Sequence, residues 1–138
     1  MDSLPDWPDG TVAILSTGGG APHAIPVSTC VRAGPRTVLL ALAARRESLT
    51  RLRADPRCAL SLLVAGDVAV TAHARATILH ELLDGVVAVK LDVERVQDHG
   101  QTTFEIQAGV RWRWVDDAAR ERDAALRAAL RELSRPGP

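Results

Sequence analysis

No apolar run in this chain is long enough to cross a bilayer; the strongest, "TVLLALAA", stops at Arg45 and Arg46. No net charge is available to attract nucleic acid, because 17 Lys and Arg residues balance 17 Asp and Glu. The first ten residues, "MDSLPDWPDG", are acidic and rich in proline, unlike a signal peptide. These absences predict a cytoplasmic protein with neither a membrane nor a nucleic-acid partner. The two cysteines form no CxxC pair, and the four histidines form neither HxH nor HExxH. A metal site is therefore not expected, and Cys30 and Cys58 read as small buried thiols within apolar runs. No Walker pattern and no GxGxxG occurs. "TGGGAP" is followed by neither lysine nor a helical pattern, so it reads as a hairpin turn. Tyrosine is absent, and Lys90 is the only lysine.

What is present fits one domain over residues 1–138, with 46% hydrophobic residues to build a core. After a leader over 1–10, "TVAILST" (11–17) is a β-branched run closed by three glycines. "PHAIPVSTCV" carries two prolines, which suit an edge or bulged strand. "AGPR" (33–36) is turn chemistry, and "TVLLALA" and "CALSLLVA" (58–65) read as buried strands. Between these strands, Ser48 to Ala54 reads as a short helix capped by Ser48 and ended by Asp55-Pro56. From Val68 to Ile78 apolar and polar residues alternate, as they do again from Val87 to Val93, with "HELLDG" as a brief link between the two. "QDHGQ" turns the chain. Phe104, Ile106, Ala108, Val110, Trp112 and Trp114 then occupy one face of a predicted last strand, with a bulge at Gly109. Trp112 and Trp114 read as core or interface residues, and His73 and Arg75 as a solvated strand face. A helix over 117–134, capped by Asp116 or Asp117, presents Leu126, Leu130 and Leu133, and "SRPGP" stops it. About seven strands and two helices predict a mainly β fold, a closed or partly closed antiparallel barrel.

Five of the sixteen residues in "LAARRESLTRLRADPR" (42–57) are arginine. Arg45 and Arg46 fall between a buried strand and a helix start, where unpaired backbone N–H groups and the helix dipole favour an anion. Arginine adds a planar donor fork suited to phosphate, and Ser48 adds a hydroxyl. The bland alternative, a solvated helix surface, suits Arg51, Arg53 and Arg57.

The order of "GTVAILSTGGGAPHAIPVSTCV", "VLLALAARRESLTRLRADPRCALSLLV" and "DVAVTAHARATIL" resembles the pyridoxamine 5'-phosphate oxidase-like, FMN-binding split-barrel family. The resemblance runs from Gly10 to about Leu79. It implies a split β-barrel that forms a homodimer with flavin bound at the subunit interface. It would place Pro26, Val27 and Ser28 beside the isoalloxazine, and Ala43, Ala44 and Arg45 along the ribityl–phosphate side. Ser48 and Leu49 would help hold the phosphate. A final strand would carry Trp112 or Arg113 to the partner's cofactor. The family often has a basic residue where Ser48 falls and asparagine where Arg51 falls, and its relatives have a helical insertion where "HELLDG" is short.

No nucleophile–base pair is evident, and a flavin enzyme does not need one, because the cofactor supplies the hydride chemistry. The resemblance thus implies an FMN-dependent oxidoreductase acting on a small organic molecule. A second reading exchanges FMN for the deazaflavin coenzyme F420, whose acidic tail would suit Arg46, Arg51 and Arg53. A third is a non-catalytic flavin- or haem-binding split barrel, for which the missing tyrosine leaves room.

Overall fold

The computed structural model describes residues 2–135. Seven strands form one antiparallel sheet: β1 (Ala13–Thr17), β2 (His23–Val27), β3 (Val31–Gly34), β4 (Thr37–Ala43), β5 (Arg57–Val64), β6 (Val68–Leu83) and β7 (Val86–Asp98). Helix α1 (Glu47–Ala54) joins β4 to β5, and helix α2 (Asp117–Ser134) closes the chain. The strand order is β2-β1-β5-β6-β7-β4-β3, so β2 and β3 are the free edges. The fold is the expected split barrel. Alternation builds it: Ala13, Leu15, Leu40, Leu60, Leu62, Ala72, Val89 and Leu91 are all buried in one core. Burying each such aliphatic side chain contributes about 1.5–3 kcal/mol.

The split lies between consecutive strands of the chain. Ser28, Thr29 and Cys30 interrupt "PHAIPVSTCV", so the predicted single strand is two, lying at opposite edges of the sheet. Pro26 sits on the β2 edge, where its missing N–H breaks no ladder. Thr29 partly spans the gap: its hydroxyl accepts from the Ala41 N–H and donates to the Ala41 carbonyl, both at 3.1 Å.

Four expectations are corrected. Residues 104–114 form no strand; they cross the outside of β5 as an extended, mostly exposed strap. Gly109 is therefore no bulge; a Cβ there would lie 2.8 Å from the Leu63 carbonyl oxygen. The strand count of seven holds only because the split run replaces the missing strand. "HELLDG" is not a link either: β6 continues to Leu83, and Asp84-Gly85 turns directly into β7. Ser48 does not cap α1. The N-cap is Arg46, with no side-chain hydrogen bond, and Ser48 lies inside the first turn. Helix α2 matches its expectation, since the Asp116 carboxylate accepts from the Ala118 and Ala119 N–H groups. Leu126 and Leu130 pack against Val31, Leu39, Ala41 and Ala88, while Leu133 stays exposed. Of the "SRPGP" stop, Pro136 and beyond lie outside the described residues.

Candidate functional site

A crevice of about 160 Å³ opens at the split, where the end of β2 faces the end of β4. Pro26, Val27, Ser28 and Thr29 form one wall, Leu42 and Ala43 the other, and Arg46 the rim. Ala43 ends its strand because the chain turns there. The Arg46 N–H donates to the Ala43 carbonyl at 2.9 Å, and the Ala44 N–H donates to Gly85 at the β6–β7 turn at 2.8 Å. This turn delivers Arg46 to the start of α1 in extended geometry (φ −63°, ψ 135°).

The charges of the arginine-rich stretch divide into two groups. Arg51 is committed to structure: its Nε is 2.8 Å from Glu47 Oε2, and its Nη1 donates to the Gly18 and Ala21 carbonyls. It fastens the glycine turn onto α1. Gly19 adopts φ +77°, and a Cβ there would come within 3.2 Å of the Arg51 carbonyl. Arg57 pairs with Asp55 at 2.9 Å, and its side-chain hydrogen bond, aided by its backbone, pulls the Asp55 carboxyl down to about 2. Arg45, Arg46 and Arg53 make no ion pair among the described residues.

Glu47 is the residue that would repel an anion at the helix start. Its carboxylate instead accepts from Arg51 and lies 3.1 Å from His23 Nδ1. The Arg51 hydrogen bond and charge, with a smaller contribution from His23, hold the Glu47 carboxyl below its usual range. The negative side chain in the first turn is thus occupied, which leaves the dipole and Arg46 to set the local field.

The sequence-predicted residues separate accordingly. Pro26, Val27, Ser28 and Ala43 meet at the crevice. Ala44 and Arg45 are exposed beside it without lining it, and Arg46 occupies the rim instead. Ser48 and Leu49 point inward at 0% exposure, and the Ser48 hydroxyl has no partner among the described residues. The Leu49 N–H is bonded to the Arg46 carbonyl at 3.1 Å, so it is not available to a ligand. Trp112 and Arg113 do not reach the crevice within one chain. Trp112 donates through Nε1 to the Gly10 carbonyl at 2.8 Å and meets Trp114 edge-to-face at 5.1 Å. Both indoles wall a separate cavity of about 380 Å³ against Arg120, Arg127 and Arg131 of α2.

Sequence reasoning missed Thr29, which has no motif of its own, and Arg127. The latter donates to the Ser28 carbonyl from 99 residues away, a contact that no local signal announces. Among the described residues no group of His, Cys, Asp and Glu could hold a metal ion, and no helix is long and apolar enough to cross a membrane.

No protein-family model matches this sequence, and no curated protein sequence matches it significantly. Solved structures do share its fold. A candidate pyridoxamine 5'-phosphate oxidase from Lactobacillus delbrueckii superposes with a TM-score of 0.57 at 18% identity, covering 70% of this chain and 95% of that one. An F420 reductase gives 0.56 at 11% identity over 65% and 91% of the two chains. An FAD-binding protein from Mesorhizobium loti gives 0.54 at 15% identity over 62% and 81%. The chain therefore has the split-barrel fold found in flavin- and deazaflavin-related proteins, as the sequence resemblance implied.

Proposed function

We propose that this protein is an FMN-dependent oxidoreductase of the pyridoxamine 5'-phosphate oxidase-like class, working as a cytoplasmic homodimer on a small organic substrate. One observation carries the reading: an unpaired guanidinium, Arg46, stands at a helix start on the rim of a crevice walled by Pro26, Val27, Ser28 and Ala43. Bound FMN would supply the hydride chemistry. Arg46, with the unbonded amides of the first turn of α1, would hold the phosphate. Pro26 and Val27 would exclude water from one ring face, and Ser28 would offer a hydrogen bond at the ring edge.

The size of the crevice supports the homodimer. Pockets that enclose a drug-sized ligand run to about 300–1,000 Å³, whereas this one holds about 160 Å³. One chain would supply part of a site and a second copy the rest. Exposed Trp112, Trp114 and Val110 on the strap suit burial against that copy. The two free buried cysteines fit a reducing compartment.

The unpaired Arg45 and Arg53 favour a second reading, in which F420 replaces FMN and these guanidinium groups meet its acidic tail. The test is the visible spectrum of the protein as isolated, with mass spectrometry of whatever denaturation releases. A flavin spectrum with FMN released supports the first reading, and F420 released supports the second. Colourless protein that stays inert to both cofactors and to haem would leave the fold as a binding module.

A further inference from the structure

Arg127 lies on α2, outside the crevice, yet it is one of the least exposed charged side chains in the molecule, at 13%. Its Nη2 is 2.9 Å from Asp123 Oδ2, itself 12% exposed, and donates to the Ser28 carbonyl at 3.1 Å. Its Nε is buried without a partner among the described residues. A shielded ion pair is weak evidence for stability, since apolar residues of the same volume often serve as well. Its geometry therefore calls for another account.

The Ser28–Thr29 peptide is held from both sides. Arg127 takes its carbonyl, and the Thr29 side chain bonds both backbone groups of Ala41. In a trans peptide the carbonyl and the following N–H point in opposite directions. Fixing the Ser28 carbonyl on Arg127 thus turns the Thr29 N–H away from α2. Both residues line the crevice. We propose that Arg127, oriented by Asp123, is a positioning residue that fixes the Ser28–Thr29 peptide and with it the hydrogen-bonding edge the crevice presents to a ring. This rests on the FMN reading above. It makes α2 part of the site's support and explains why a helix on the far side of β4 carries a shielded guanidinium.

The test uses the full-length chain and two variants. Arg127→Lys keeps the charge beside Asp123 but lacks the fork needed to hold two acceptors at once. The paired Arg127→Met, Asp123→Leu variant removes both charges and leaves neither stranded, which preserves folding. In the cofactor-free protein, amide hydrogen exchange at Ala41, whose N–H donates to the Thr29 hydroxyl, should accelerate roughly tenfold or more in both variants as the Ser28–Thr29 peptide loosens. Exchange at Leu40 and Leu60 should stay unchanged. With FMN added, the variants should bind roughly tenfold or more weakly, with a shifted flavin absorbance band. Unchanged exchange at Ala41 would overturn the proposal. So would faster exchange with wild-type affinity and spectrum. If the wild-type chain takes up no flavin, the functional reading falls, and the exchange measurement alone decides whether Arg127 fixes the peptide.

Discussion

Residues 68–78 and 104–114 carry the same message in sequence and meet different fates. Each alternates between apolar and polar side chains, broken only by Ala69 in the first and Gly109 in the second. The first is the body of β6, paired with β5 on one side and β7 on the other, with Val70, Ala72 and Ala74 buried. The second has no ladder, and Val110, Trp112 and Trp114 remain 66%, 39% and 42% exposed. A period of two describes a surface to be covered on one face, and it does not say which neighbour covers it. β6 finds its neighbours through two hairpins, and Gly66 and Asp67 provide the positive φ that the first requires. The strap has no hairpin leading into it, and within one chain it is only partly covered, by Gly10, Leu63 and the arginines of α2.

Matched substitutions should expose this difference most strongly. Ala72→Asp puts a charge in the core and should cost several kcal/mol, enough to unfold a domain of this size. Ala108→Asp on the strap should stay within about 0.5 kcal/mol. Urea unfolding measures both, and equal losses would place the strap in the core after all. A smaller effect is expected at Gly109. A methyl there must displace the strap from the Leu63 carbonyl, so Gly109→Ala should lower stability by about 1–3 kcal/mol and alter the fluorescence of the strap tryptophans. Smaller again is Trp112→Phe, which keeps the ring but loses the bond to Gly10, for about 0.5–1.5 kcal/mol.

The sheet side of the comparison can be tested by pH. Burial raises the Cys30 and Cys58 thiols from 9 to about 12. Between those values the unfolded chain has lost protons that the folded chain keeps, so stability should fall as pH rises above 9. At pH 8 the native thiols should resist iodoacetamide and react only after unfolding. Rapid alkylation of folded protein would place them at the surface.

Legibility follows the same division. The core strands and a cap at the start of α2 are local patterns, and they stand in the sequence; the split is implied only by the resemblance. At the split, Pro26, Val27, Ser28 and Ala43 line one crevice. The sequence places the helix cap at Ser48 and the structure at Arg46, two residues earlier, and in an α-helix two residues are about 200° of rotation. That difference turns Ser48 and Leu49 outward when they face the core; the choice of Arg45 over Arg46 comes from the resemblance. Arg51 looked like solvated surface because its partners, Gly18 and Ala21, lie about thirty residues back. Such contacts depend on how the glycine turn docks on α1, which no spacing within the helix encodes.

The central proposal is that Arg46, and not the equally unpaired Arg53 of the same helix, holds a phosphate at the split. Equilibrium titration with FMN, followed by quenching of flavin fluorescence, tests it directly on the wild-type, Arg46→Ala and Arg53→Ala proteins. The account predicts saturable binding at one FMN per chain, weakened about tenfold or more by Arg46→Ala and little changed by Arg53→Ala. Equal affinity in all three proteins, or no quenching in the wild type, would contradict it.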